Sequence, residues 1–222
     1  MINPKISVVM VIKNYNHEKL KRCVNSVSFQ SYKNYEIIIK HNGSLEESKK
    51  LEKDFNDPLI KIISMPDASL GDAANQAMEY VTGDIISVFH HDDYFCENAF
   101  STLIENLDDS MWYFGNIHYH SMGVKVPTYY RENVSLPDMK QENYIPQPAC
   151  FFKKEVYQKI GKFNSQLKLC WDYDYWVRIF KEFKPKYIPF FFANYYLNEN
   201  SISLKFPQEM MAEEKKIIQS SI

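Results

Sequence analysis

Short apolar runs alternate with segments of helical period through the first half of the chain. Four runs rich in β-branched residues, KISVVMVI, YEIIIK, IKIISM and DIISVFH, predict strands. Between the first two, Leu20, Cys23, Val24 and Val27 have the i, i+3, i+4, i+7 spacing of a helix that packs on a sheet. The segments SLEESKKLEKDF and LGDAANQAMEYVTG predict two more helices, the second ending at Gly83. This alternation predicts a parallel sheet with helices on both faces.

The second half of the chain has a different pattern. MWYFGNIHYH predicts a strand, ACFFKKEVYQKIG a strand and a helix, and CWDYDYWVRIFKEF another helix. Residues 121–148 contain four prolines and little periodicity, which predicts a long loop. The aromatic run YIPFFFANYYL and the amphipathic tail EMMAEEKKIIQSSI follow. We predict one α/β domain over residues 1–222, with a Rossmann-like, mostly parallel half at 1–110 and a mixed half at 111–222.

Composition narrows the functional classes. The 222 residues carry a formal net charge of -2, which lacks the basic excess that binding to a nucleic acid backbone requires. The four cysteines form no C-x-x-C pair, a usage that favours a reducing cytoplasm over a zinc or disulfide framework. The first apolar run is only as long as a strand and has no small-residue cleavage site after it, so we predict neither a signal peptide nor a membrane span there.

The fourth predicted strand ends in the polar cluster FHHDDYF. Ligands of parallel sheets bind beyond the carboxyl ends of the strands, so this position favours a binding site. Asp92 is the first candidate ligand for Mg²⁺ or Mn²⁺, because hard cations prefer carboxylate oxygens. Asp93, His90 and His91 are candidates to support it, either as further ligands or by orienting the Asp92 carboxylate. The alternative is that the two aspartates start a turn and cap the following helix.

A second polar cluster, WDYDYWVR, opens the last strongly periodic helix. Asp172 has the position of an N-cap, and Asp174 with Arg178 has the i, i+4 spacing of an ordinary ion pair. The functional alternative is that Asp172 is a carboxylate among aromatic side chains, where partial loss of water raises its basicity.

In their order along the chain, the motifs KNYN, HNGS, GDAANQAMEYVTGD, HDD and CWDYDYWVR resemble the family 2 glycosyltransferases of the GT-A fold. The run SVSFQSYKNYEIII is similar to a segment that precedes the second strand in that family. The resemblance covers essentially the whole chain. It implies an inverting enzyme of the hexosyl- or N-acetylhexosaminyl-transferase type, which moves one sugar from a nucleotide sugar to a glycan or lipid-linked acceptor in cell-surface polysaccharide synthesis.

The resemblance also assigns roles to residues. It implies that Asp172 is the catalytic base and that Asp92, with His91 nearby, meets a divalent cation on the donor diphosphate. It places Tyr15 beside the nucleobase and Asp72 and Asn75 at the donor side of a helix start. The predicted loop at 121–148 and Trp171 are candidates for the acceptor wall, because aromatic faces suit sugar rings, and aromatic core packing is the alternative.

The chain departs from the family pattern at three positions. His90 stands where the family often has aspartate, and His41 and Asn42 stand where it usually has two acidic residues. The Asn42 amide oxygen can accept the N3 hydrogen of uracil, so a UDP-sugar is the favoured donor, but its NH₂ group can equally meet a carbonyl. The absence of a Q-x-x-R-W motif favours transfer of a single sugar.

The partners of the tail stay open. If the acceptor is lipid-linked, the tail EMMAEEKKIIQSSI is a candidate for peripheral contact with the inner face of the membrane. Its acidic residues instead favour a solvated helix or a homodimer contact.

Three rival functions remain to be weighed. A sugar nucleotidyltransferase needs a glycine-rich loop after the first strand, and a Rossmann dehydrogenase needs G-x-G-x-x-G, neither of which is present. A catalytically inert GT-A-like module that binds a nucleotide or sugar is favoured by the departures at His41, Asn42 and His90. Asp92 and Asp172 together argue against that module.

Overall fold

The structure, a computed structural model, describes residues 3–12, 15–139, 141, 143–197 and 201–220. Within these residues nine strands form one sheet in the order β3-β2-β1-β4-β8-β6-β9-β5, with β7 paired to β6. The strands are β1 (Ile6–Ile12), β2 (Tyr35–His41), β3 (Ile60–Ser64), β4 (Ile85–His90), β5 (Tyr94–Phe95), β6 (Trp112–Ser121), β7 (Val124–Thr128), β8 (Cys150–Lys153) and β9 (Lys186–Leu197).

The first four strands are parallel, as the sequence predicts. β1 lies between β2 and β4, with Ile6 opposite Tyr35 on one side and Ile85 on the other. All seven β1 residues are buried, which explains why the strand is continuously apolar rather than alternating. The other half of the sheet is mixed, because β8 is antiparallel to both β4 and β6 while β6 and β9 are parallel. The predicted α/β fold with a mostly parallel first half and a mixed second half is confirmed.

Helices cover both faces of the sheet. They are α1 (His17–Ser28), α2 (Leu45–Asp54), α3 (Leu70–Met78), α4 (Ala99–Glu105), α5 (Leu136–Met139), α6 (Lys154–Ile160), α7 (Trp171–Glu182), α8 (Ile202–Lys205) and α9 (Pro207–Ser220). Alternate β1 residues divide between the two cores. Val9 and Val11 pack in the cluster that includes α3 and α7, and Val8 and Met10 pack in the cluster that includes α1, α2 and α4.

Helix α3 ends at Met78, five residues earlier than the sequence pattern predicts. Gly83, the expected stop, instead lies against β1: a Cβ atom there would come within 2.6 Å of the Lys5 carbonyl oxygen and 2.5 Å of the Ser7 hydroxyl. The residue is glycine because the chain must pass this close to β1 before it enters β4.

The described parts of the predicted loop, residues 121–139, 141 and 143–148, contain regular secondary structure. The first part is a hairpin between β6 and β7, in which Ser121 pairs with Val124. The two turn residues, Met122 and Gly123, have φ values of 50° and 78°, the left-handed region that two-residue hairpin turns require. The short helix α5 and a 3₁₀ turn at Gln147–Ala149 follow. In the sequence the four prolines argued against regular structure here. Three of them lie in α5 or in or beside the 3₁₀ turn, and Pro127 lies in β7, which pairs only with β6 in the described sheet.

Two side chains of the run SVSFQSYKNYEIII, Gln30 and Glu36, hold elements of the fold together by hydrogen bonds. The Gln30 side chain donates to the carbonyl oxygens of Ser26 and Cys96 and accepts from the Phe100 amide, which ties α1 to β5 and α4. Glu36 on β2 accepts from the Lys5 ammonium at 2.7 Å and from the Ser7 hydroxyl at 2.6 Å. These bonds fix the amino-terminal ends of the parallel strands, opposite the end where ligands of such sheets bind.

Candidate active site

A cavity of about 740 Å³ opens at the carboxyl end of β4. Its wall combines the strand-end cluster of β4, the start of α7, the ends of β6 and β9, and parts of residues 128–148 and 201–214. The lining residues include His90, His91, Asp92, Asp93, Tyr119, Tyr130, Asn143, Trp171, Asp172, Tyr195, Tyr196, Lys205, Phe206, Met210 and Glu214. The cavity thus brings together six of the individually predicted residues: Trp171, Asp172 and the four residues from His90 to Asp93.

The two aspartates after β4 have different surroundings. Asp93 is buried, and its Oδ1 atom accepts the Tyr196 backbone N–H at 2.9 Å, which connects the β4 loop to β9. Its Oδ2 atom has no hydrogen-bond partner among the described residues. Burial and the neighbouring Asp92 carboxylate raise the pKa of Asp93 well above its ordinary value. The Asp92 side chain is 26% exposed and lies 3.9 Å from the Lys19 ammonium, so it is the carboxylate that a ligand can reach.

Arg22 of α1 holds this loop in place. Its guanidinium donates to the Asp92 backbone oxygen and lies over the rings of Tyr94 and Tyr196, 4.7 and 4.3 Å from their centroids. The Asp92 carboxylate is therefore presented by a loop whose backbone is anchored independently of that side chain.

Asp172 lies in the first turn of α7, at the position of an N-terminal helical residue rather than of the N-cap itself, which is Cys170. Burial has the largest effect on the pKa of Asp172 and raises it. Hydrogen bonds from the backbone amides of Tyr173 and Asp172 and from the Asn143 side chain lower it, the Glu214 carboxylate raises it, and the resulting pKa is about 6. A carboxylate with this pKa is matched to accepting a proton near neutral pH.

The neighbouring pair behaves as the sequence suggests. The Arg178 Nε atom lies 2.8 Å from Asp174 Oδ2, and the same guanidinium donates to the carbonyl oxygens of Ile160 and Lys162. Asp174 and Arg178 therefore tie α7 to the end of α6.

Four residues assigned to the donor lie outside the cavity wall. Tyr15 stands at the end of β1, where its hydroxyl is 2.9 Å from His17 Nδ1 and its ring meets the His41 ring edge to face. Asn42 follows β2 and is exposed, with its NH₂ group 3.3 Å from the Asp67 backbone oxygen. Tyr15 follows β1, the neighbour of β4, and Asn42 follows β2, the next strand out, so both lie at the same edge of the sheet as the cavity. Their contact with a nucleobase stays a prediction.

The side chains of Asp72 and Asn75 form hydrogen bonds within the protein. Asp72 accepts from the Ala68 amide at 2.9 Å and from the Gln76 side chain. The buried Asn75 amide donates to the Phe163 carbonyl oxygen and accepts from the Phe163 amide and the Tyr157 hydroxyl. In this structure Asn75 joins α3 to the segment after α6, and the donor contacts of both residues stay predictions.

Asn143 and Glu214 also line the cavity, and no motif in the sequence singles out either residue. Asn143 follows a segment of low periodicity, and its role depends on a long-range approach to α7. Glu214 belongs to the tail helix α9, which packs against α7 and buries Ile217. The alternation of acidic and apolar residues in the tail indicates an amphipathic helix, and only the tertiary structure shows which surface that helix covers.

Another unpredicted feature is the buried Lys40 on β2. Its ammonium donates to the Met65 carbonyl oxygen at 2.7 Å and pairs with Asp67 Oδ2 at 2.8 Å. These bonds connect the ends of β2 and the segment after β3, beside Asn42.

The resemblance to GT-A glycosyltransferases implies a divalent cation on the donor diphosphate. Within the described ranges no group of three or more His, Cys, Asp or Glu residues is arranged to hold a metal ion. Asp92, with the unpartnered Asp93 Oδ2 beside it, offers carboxylate oxygens at the cavity edge. That set fits a cation of the Mg²⁺ or Mn²⁺ type, because such ions take few protein ligands and complete their shell with water and substrate phosphates.

Comparison with solved structures identifies the class of fold. S. aureus TarS in complex with UDP-GlcNAc matches with a TM-score of 0.75 at 15% identity, over 98% of this chain and 66% of that one. A mannosyltransferase from Pyrobaculum calidifontis, in complex with GDP-Man and Mn²⁺, matches with a TM-score of 0.66 at 12% identity, over 98% of this chain and 69% of that one. The protein therefore has the GT-A type of glycosyltransferase fold.

The family follows from the sequence match. Residues 7–166 match the model of glycosyl transferase family 2, and the chain belongs to that family. An uncharacterized glycosyltransferase from Rickettsia prowazekii is 25% identical in an alignment 191 residues long that covers 81% of this chain. The chain spans 59% of the length of that relative. None of the helices within the described residues is both long and apolar enough to cross a bilayer.

Proposed function

We propose that this chain is a metal-dependent inverting glycosyltransferase that moves one sugar from a nucleotide sugar to a hydroxyl group of a glycan or lipid-linked acceptor in surface polysaccharide synthesis. The observation that carries the proposal is that Asp92 and Asp172, from two separate elements, line the same cavity. Membership of the family supports the reaction class. Residues 1–110 would then hold most of the donor, and residues 111–222 most of the acceptor.

In the proposed reaction Asp172 takes the proton from the acceptor hydroxyl while that oxygen attacks the anomeric carbon of the sugar. The bond between the anomeric carbon and the diphosphate oxygen breaks, and the nucleoside diphosphate leaves with the electron pair. Because the attack comes from the side opposite the leaving group, the configuration at the anomeric carbon inverts. General-base assistance of this kind contributes roughly 10²–10⁴-fold.

The leaving diphosphate would lie at the Asp92 end of the cavity, opposite Asp172. Asp92, supported by Asp93, would hold a divalent cation, and such a cation stabilises the charge of a departing diphosphate. Lys205 also lines this cavity. The Mn²⁺ in the complex of the mannosyltransferase neighbour supports this assignment.

UDP is the favoured nucleotide. The UDP-GlcNAc complex of TarS supports it, as does the position of Asn42 at the end of β2 beside the Tyr15 and His41 rings. The base would be recognised by the Asn42 amide, whose oxygen can accept the N3 hydrogen of uracil.

The experiment that tests the proposal is calorimetric titration with UDP, GDP, dTDP and CDP, each with Mn²⁺ and again with EDTA. It is followed by an assay of UDP release from UDP-GlcNAc, UDP-glucose and UDP-galactose. We expect Mn²⁺-dependent binding of UDP, and release of UDP that Asp172→Asn abolishes. Asp109→Asn, an exposed aspartate far from the cavity wall, is the matched control.

Two results would contradict the proposal. Tight nucleotide binding without turnover of any nucleotide sugar would favour an inert binding module. Near-normal turnover by the Asp172→Asn variant would show that another group is the base.

A further inference from the structure

The carboxylate of Glu213, on the C-terminal helix α9, accepts three consecutive backbone amides just before α7. Its Oε1 atom accepts the Lys168 N–H at 2.9 Å, and its Oε2 atom accepts the Leu169 and Cys170 N–H groups at 3.0 and 2.9 Å. Hydrogen bonds to a charged carboxylate are charge-assisted, and each is stronger than a hydrogen bond between two neutral groups. It fixes the direction in which the chain enters the helix that carries Asp172.

The N-cap residue of helix α7 is Cys170, and no side-chain hydrogen bond from Cys170 caps the helix. The Cys170 thiol is instead directed to the Met210 carbonyl oxygen of α9, at 3.6 Å. Asp172 cannot supply the missing restraint, because its own carboxylate takes the amides of Tyr173 and Asp172 while it faces the cavity. The restraint upstream of Asp172 comes from α9.

The next residue on α9 extends the same contact to the cavity. Glu214 lines the cavity, and its charge adds to the raised pKa of Asp172. Two adjacent acidic residues of α9 therefore have distinct surroundings: Glu213 lies on backbone amides and Glu214 faces Asp172.

We infer that Glu213 is a positioning residue for Asp172, so that its contact with the chain before α7 supports the active site. The inference rests on the proposed role of Asp172 as the base. It assigns a function to residues beyond 166, which lie outside the span that matches the family model.

Two substitutions test the inference. Glu213→Gln keeps the shape of the side chain but places an NH₂ group where an oxygen accepts, so at least one of the three amides loses its acceptor. Glu213→Asp keeps both oxygens on a shorter side chain and should restore part of the effect. Glu209→Gln, an exposed position on the same helix, is the matched control.

The expected result has two parts. Hydrogen–deuterium exchange at residues 168–174 should rise at least tenfold in Glu213→Gln and less in Glu213→Asp, with α3 unchanged. In Mn²⁺-dependent hydrolysis of UDP-GlcNAc, kcat should fall at least tenfold, while KM for the donor and Kd for UDP stay within twofold. Glu209→Gln should resemble the wild type in both measurements.

The inference is overturned if exchange at residues 171–174 does not change in Glu213→Gln, or if KM and kcat change together by similar factors. The exchange measurement decides the matter without activity. Failure of the proposed function is a separate result, because it would appear as turnover retained by Asp172→Asn or as no turnover by the wild type.

Discussion

The His90 imidazole meets the Trp171 indole edge to face, with ring centroids 6.2 Å apart. This contact joins the end of β4 to the first residue of α7. The two carboxylates proposed for the reaction, Asp92 and Asp172, follow these rings by two residues and one residue. The distance between the leaving-group end and the base end of the cavity is therefore set by packed aromatic side chains on rigid elements, which is how catalytic groups are held in a productive geometry.

The pH dependence of turnover should report Asp172. Its pKa of about 6 means that the carboxylate is mostly charged above pH 6 and neutral below it. We expect kcat/KM for UDP-GlcNAc to fall tenfold per pH unit below about pH 6. The titratable groups around Asp172 are Glu214 on α9, Cys150 on β8, Cys170 before α7, and His90, His91 and Asp92 across the cavity.

A comparison of variants separates these groups. The Glu214 charge raises the pKa of Asp172. Glu214→Gln removes that charge, so it should lower this pKa and move the acid limb of the pH profile to lower pH. A limb near pH 4 in the wild type would contradict the raised pKa and the role of Asp172 as a tuned base.

Replacement of Asp172 by asparagine should also increase stability at neutral and alkaline pH. The folded-state pKa of about 6 lies above the ordinary value of 3.8, so folding favours the protonated form. The charged form therefore destabilises the folded state as pH rises from about 4 through 6. Because the carboxyl group opens onto the cavity, solvent screening reduces the effect, and we expect Asp172→Asn to raise the free energy of unfolding by about 1–2 kcal/mol at pH 8.

Urea denaturation at pH 8 and at pH 4 measures this effect. The gain should disappear at pH 4, where the wild-type carboxyl is protonated in the folded state. Equal stability of the two proteins at pH 8 would argue against a raised pKa.

Asp92→Asn should weaken Mn²⁺-dependent nucleotide binding while the loop keeps its conformation. The backbone at Asp92 is held by Arg22, so the substitution removes negative charge without releasing the loop. We expect the Kd for UDP in the presence of Mn²⁺ to increase at least ~10-fold, the lower end of effects seen even for residues that only support metal ligands. In EDTA the Kd should be unchanged, and Asp109→Asn should bind as the wild type does. An unchanged Kd with Mn²⁺ would remove Asp92 from the metal site.

Local sequence patterns predicted the elements whose signals are local. Continuous apolar strands such as β1 and capped amphipathic helices such as α1 follow from residue spacing, and parallel order follows from the alternation of the two. The placement of His90 to Asp93 at the cavity follows from the rule that ligands lie beyond strand ends. The cavity itself depends on contacts between distant segments. Asn143 and Glu214 reach Asp172 only because residues 143–147 and α9 approach the start of α7, and no periodicity in either segment reports that.

The same distinction applies to residues that hold the molecule together. Asn75 was predicted to meet the donor, yet its amide is engaged by Phe163 and Tyr157. A polar residue at a helix start gives the same sequence signal whether it binds a ligand or another segment of its own chain. The contact with the segment after α6, 88 residues further along, is visible only in the tertiary structure, and a donor contact of Asn75 stays a prediction.

Glu36 provides a stability test that is independent of the active site. Burial alone would raise the pKa of Glu36, but hydrogen bonds from Lys5, Ser7 and Thr82 lower it to about 2, below the ordinary value of 4.5. The stability that these bonds contribute is therefore present above about pH 4.5 and is lost as pH falls toward 2.

Glu36→Gln should lower the free energy of unfolding by about 1–2 kcal/mol at pH 7, after allowance for partial solvent screening. Glu52→Gln, at an exposed position of α2, should leave stability unchanged. Urea denaturation of all three proteins at pH 7 and pH 3 provides the check. The difference between wild type and Glu36→Gln should shrink at pH 3, and a difference that is the same at both pH values would mean that shape rather than charge is what Glu36 contributes.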